Sequence, residues 1–83
     1  MSLAAEMSDV LAAAQVRADL RSGRAREIRK RAGLTQADVA RAVGVVQPTV
    51  AAWEAGRRVP PASYALKLAD LLWKLDKLSR EPA

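Results

Sequence analysis

This sequence predicts an all-α chain, and three observations predict it. Ala, Leu, Arg, Glu and Lys dominate the composition, and these residues lose little on entering a helix. The β-branched residues are scattered and never alternate with polar ones over a strand-length run. Glycines at positions 23, 33, 44 and 56 punctuate segments whose apolar residues recur at helical spacing. The apolar fraction is 51%, but much of it is Ala and there is no Phe, so Leu, Val and two Trp must build a thin core. With 83 residues and one composition regime, residues 1–83 are read as a single domain.

Each element has its own signals. Ser8 and Asp9 can cap a first helix that runs through Leu11, Ala14 and Ala18 toward Leu20. Gly23 either stops this helix or sits inside one that continues. From Arg24 to Ala32, the residues Ala25, Ile28 and Ala32 share one helical face that ends at Gly33. Thr35 and Asp38 have capping-box spacing, which starts a helix at Gln36, and Gly44 ends it. Its apolar stripe is Ala37, Val39, Ala40 and Val43, with Asp38 and Arg41 toward water. The next helix opens near Gln47 with Pro48 in its first turn, where a missing N–H costs nothing, and Gly56 closes it. Val50 and Trp53 mark its inner face. A last helix starts around Pro61 and runs to Ser79, with Tyr64, Leu68, Leu71, Leu75 and Leu78 in a short heptad-like stripe. The tail from Arg80 to Ala83 frays.

Composition also excludes chemistry. Without Cys or His there is no disulfide, no thiolate metal site and no imidazole proton shuttle. No Gly-rich phosphate loop is present, so an enzyme, a metal site and a cofactor are all unsupported. The start, MSLAAEMSD, lacks a basic stretch followed by an apolar one, and no run of about 18 uncharged apolar residues could span a membrane. A soluble, cytoplasmic protein is the expectation. The net charge of +5 is unevenly spread: −2 over residues 1–19, +6 over 20–60 and +1 over the remainder. A basic middle between nearly neutral ends suits a polyanion partner, although a solvated basic helix carries the same charge.

The run QADVARAVGVVQPTVAAWEA sets small Ala40 where two helices cross, Gly44 in a tight turn, Val45 as a plug beneath it, and Val50 and Trp53 as core anchors. A short Gly-containing turn at a wide crossing angle lets one helix brace a DNA backbone while the next enters the major groove. Together with AGLTQADVA before it and WEAGRRVP after it, the segment from about Leu20 to Leu72 resembles the Cro/XRE (lambda-repressor-like) helix-turn-helix family. The resemblance implies a lambda-repressor-like bundle of about five helices with core 20–72, an added N-terminal helix over 1–19 and a long C-terminal helix reaching into 73–83. It implies a sequence-specific regulator of transcription, a repressor, that binds double-stranded DNA.

Roles follow residue by residue from that resemblance. Thr35 and Gln36, at a helix N-terminus, would contact a phosphate. Gln47 would enter the major groove, where its amide can pair with adenine N6 and N7. Pro48, Thr49, Ala51 and Ala52 would line the groove-facing side, where Ala offers only a methyl contact to thymine. That surface is poor in hydrogen-bonding groups, so DNA shape would share the readout. Val46 departs from the Ser or Thr usual there and cannot cap the helix. Arg57 and Arg58 would meet the sugar-phosphate backbone, and Arg29 with Glu54 would form a structural ion pair. Arg26, Lys30 and Arg31 either strengthen the basic field or form a solvated face. Trp53 reads as core.

One recognition helix covers one half-site, so such a chain is expected to dimerise. The stripe Leu71, Leu75 and Leu78, joined by Trp73, could form the interface, as could the stripe Leu3, Met7, Leu11 and Ala14. Alternatively the two stripes pack on each other within one monomer. A competing reading is a protein-interaction module, an antitoxin or phage regulatory partner whose terminal helices bind another protein.

Overall fold

The computed structural model describes the backbone of residues 3–80 and the side chains of residues 7–80. Five helices follow one another: α1 (Leu3–Ser22), α2 (Arg24–Arg31), α3 (Gln36–Val43), α4 (Gln47–Glu54) and α5 (Ala62–Arg80). There is no strand among the described residues, as the composition predicts.

The first helix begins earlier than the Ser8–Asp9 cap would place it. The preceding residues are Ala and Glu, which propagate a helix, so nothing upstream obliges Ser8 or Asp9 to act as a boundary. Gly23 settles the other end. Its φ of 86° is left-handed, so it separates α1 from α2 rather than continuing a single helix. The stripe that packs is also different. Ala13, Val16 and Leu20 are buried, whereas Met7, Leu11 and Ala14 are exposed. An Ala-rich helix offers several apolar stripes, and the neighbouring helix selects among them. That neighbour is chiefly α5. Leu3, the first residue of the N-terminal stripe, lies outside the described side chains.

The other boundaries follow local chemistry. At α3 the Thr35 hydroxyl accepts from the Asp38 N–H at 3.0 Å, and Asp38 Oδ2 accepts from the Thr35 N–H at 2.8 Å, a complete capping box. Gly44, at φ 90°, ends α3, and the N–H groups of Gly44 and Val45 both reach the Ala40 carbonyl, at 2.8 and 2.9 Å. Val45 is half-buried against the core beneath that turn. Val46 precedes α4 without a side-chain cap, and Pro48 sits in the first turn.

One core gathers side chains from every helix: Val16 and Leu20, Ala25 and Ile28, Val39 and Val43, Val50 and Trp53, and Ala65, Leu68 and Leu72. Trp53 lies beneath Tyr64, with ring centroids 6.2 Å apart. In the C-terminal stripe, Leu71 and Leu75 are half-buried against this core, whereas Leu78 and the adjoining Trp73 are exposed. The stripe is therefore not a continuous free seam. Two Arg17 nitrogens donate to the carbonyl of buried Pro60, at 3.1 and 3.4 Å, so α1 pins the loop that leads into α5.

Candidate nucleic-acid interface

The site is built where α2, α3 and α4 converge. Arg29 of α2 donates from Nε to Glu54 Oε2 at 2.7 Å and from Nη2 to Glu54 Oε1 at 2.9 Å, a two-pronged ion pair with both side chains more than nine-tenths buried. Arg29 also donates to the Leu34 carbonyl at 2.9 Å, which ties down the turn before α3. The pair predicted to be structural is thus present. Burial alone would raise the Glu54 carboxyl, but hydrogen bonds from Arg29 and Gln36, with the charges of Arg29 and Arg26, outweigh it and hold Glu54 below its ordinary value. The bond to Glu54 correspondingly raises Arg29.

Two amides extend this pair to the surface. Gln36 Nε2 donates to Glu54 Oε1 at 3.0 Å, and Gln47 Nε2 donates to Gln36 Oε1 at 2.7 Å. An ionised carboxylate only accepts, so Glu54 must receive the Gln36 NH2 and Gln36 must turn its oxygen to Gln47. Gln47 therefore directs an N–H inward and keeps its carbonyl oxygen and second N–H for an outside partner. The Gln36 side chain gives its oxygen and one N–H to this chain of bonds and keeps its second N–H for an outside partner. Its backbone N–H remains, as one of the first-turn donors that a helix cannot satisfy internally. Thr35 serves the capping box: its N–H goes to Asp38, and its hydroxyl oxygen accepts from the Asp38 N–H.

Along α4, Gln47 and Pro48 are exposed, and Thr49 and Ala51 are half-buried. Ala52 is buried, at 9% exposure, and does not belong to a groove-facing surface. Five residues on from Gln47, a helix has turned about 140°. There the Ala52 carbonyl accepts the N–H groups of Arg57 and Arg58, at 2.9 and 3.3 Å, and closes the helix. Arg57 and Arg58 themselves are exposed, and neither has an ion-pair partner among the described residues.

A depression of about 490 Å³ opens beside this cluster, lined by Arg26, Thr35, Gln36, Ala37 and Gln47 among others. It joins a guanidinium to the N-terminal turn of α3, whose dipole favours an anion. The sequence reading left Arg26 undecided between the basic field and a solvated face. Its position three residues before Arg29, on the same helix, was the available signal. Lys30 and Arg31 are exposed and line none of this depression.

Among the described residues, no group of three or more carboxylates, His or Cys is placed to hold a metal ion, and no helix is long and apolar enough to cross a membrane. Comparison with known families gives a match to the helix-turn-helix model over residues 26–72, more than half of the chain. No curated protein and no solved structure matches significantly. The matched segment spans most of α2, all of α3 and α4 and the first half of α5, and so contains the Gln47–Gln36–Glu54–Arg29 chain and the Gly44 turn. With its all-helical architecture and those contacts, the chain belongs to the Cro/XRE-type helix-turn-helix family of DNA-binding regulators.

Proposed function

We propose that this chain is a sequence-specific repressor of transcription that binds double-stranded DNA as a homodimer, one α4 helix to each half-site, in the cytoplasm. The observation that carries the reading is the oriented amide of Gln47. An outward carbonyl oxygen and a second N–H match the adenine edge, accepting from N6 and donating to N7. Pro48, Thr49 and Ala51 complete the groove-facing side. Phosphates fall to the first-turn N–H groups of α3, to Arg26 beside them, and to Arg57 and Arg58 beyond α4. Since only Gln47 offers a two-bond base contact, charge and DNA shape supply the remainder of recognition. The chain acts as one domain, with core 20–72 and terminal helices that buttress it.

An unbiased selection from random duplex DNA at fixed salt tests this. The expected product is a two-fold repeat with an adenine that Gln47→Ala no longer prefers. Recovery of no common sequence would reject the reading.

A further inference from the structure

A narrow cleft of about 80 Å³ lies between the C-terminal half of α1 and the loop that follows α4, with Arg17, Arg21, Gly56, Arg58 and Pro60 among its lining residues. Three guanidinium groups thus share one cleft, and no carboxylate lines it. None of the three has an ion-pair partner among the described residues.

The cations are gathered by the fold. Arg17 donates from Nε and Nη2 to the carbonyl of buried Pro60, at 3.4 and 3.1 Å, which tethers the loop to α1. Arg21 lies one helical turn further along α1, on the same face as Arg17, and its side chain is exposed. Arg58, also exposed, lines the cleft from the loop. Like charges at i and i+4 repel, and a third cation on the same cleft adds to that repulsion. Nothing lining the cleft offsets it, so the cleft is complementary to an anion from outside the chain.

The position of the cleft says which anion. Gly56 and Arg58 line it and also belong to the turn that closes α4, where the Ala52 carbonyl accepts the N–H groups of Arg57 and Arg58. We infer that Arg21 is a further phosphate-contacting residue: with Arg58, it meets the backbone of the duplex that α4 reads. Arg21 stands outside residues 26–72, so α1 extends the DNA-binding surface beyond the segment that matches the family. The inference rests on the proposed function in needing a duplex seated on α4, and it adds a contact from an element that reads no base.

Salt titrations of the full chain on a selected duplex and on an unrelated one test this. Phosphate contacts carry no base information, so Arg21→Ala should lower the slope of log K against log salt by about one on both duplexes. Arg21→Lys, which keeps the charge, should retain the slope. Lys30→Ala removes an exposed charge that does not line the cleft, and should leave the slope unchanged. A slope that Arg21→Ala leaves intact, a loss confined to the selected duplex, or an equal fall for Lys30→Ala would each overturn the inference. Sequence-selective binding with a slope indifferent to Arg21 overturns this contact and leaves the proposed function standing. An Arg21-dependent slope without preference for any sequence does the reverse, and failure to bind duplex DNA overturns both.

Discussion

Gln47 donates a side-chain N–H to Gln36 Oε1 at 2.7 Å, and this bond decides which way the Gln47 amide points. Gln47→Ala should therefore cost about 1–3 kcal/mol of discrimination at one adenine, with little change in nonspecific affinity. Gln36→Leu should lose part of the same discrimination, because the amide then rotates freely. Titrations against operators altered one base pair at a time measure both. Uniform weakening over all sequences would place Gln47 off the base edge.

The Arg29–Glu54 pair should behave as a buried charge pair. Glu54→Ala strands a guanidinium and should destabilise the fold by about 3–5 kcal/mol, while Arg29→Met combined with Glu54→Leu should cost much less. Urea unfolding of the single and double variants checks this. Additive losses would argue against coupling.

Acid should loosen the fold with a defined sign. Glu54 and Asp38 are both held below their ordinary values of 4.5 and 3.8, Asp38 chiefly by the Thr35 backbone N–H and then by the Thr35 hydroxyl. The unfolded chain then takes up protons before the folded one does, so stability is full above those ordinary values and falls as pH drops through and below them. Glu54→Gln should flatten part of that fall in a series of unfolding curves. An unchanged slope would remove Glu54 as its source.

Salt dependence of DNA binding should count the phosphate contacts. Replacing Arg57 and Arg58 together by Ala should reduce the slope of log K against log salt by about two, and Arg26→Ala by about one. A slope insensitive to Arg26 would assign the depression at α3 no anion.

At Gly44 the cost of substitution is one of backbone alone. A Cβ there would meet nothing within 4 Å, yet φ is 90°. Gly44→Ala should cost about 1–2 kcal/mol, and Gly44→Asn less, in thermal unfolding. A neutral Ala variant would mean that the turn relaxes.

Residues 35–56 were the most legible part of the sequence. There a capping box, a left-handed Gly and an early Pro each act through their immediate neighbours, and α3 and α4 begin at the predicted Gln36 and Gln47. Legibility failed where a distant helix decides the outcome. Ala13 and Ala14 are chemically identical, and only the packing of α1 on the other helices makes one buried and the other exposed. Ala52 is another case, since its methyl group suits either side of α4 until the folded chain buries it. Arg29 and Glu54 could be paired through family resemblance. The continuation through Gln36 to Gln47 joins residues from three helices, and no spacing along the chain encodes it.

That continuation restricts what could stand at position 47. Any replacement meets a carbonyl oxygen, fixed in place by a carboxylate that cannot donate. Lys or Arg, which read guanine, would keep the bond, whereas Glu or Asp, which read cytosine, would face repulsion. On the proposed reading of Gln47, the buried ion pair thus sets an alphabet for the surface: at this position the operator could drift between purines, and a change to cytosine would first require replacing Gln36.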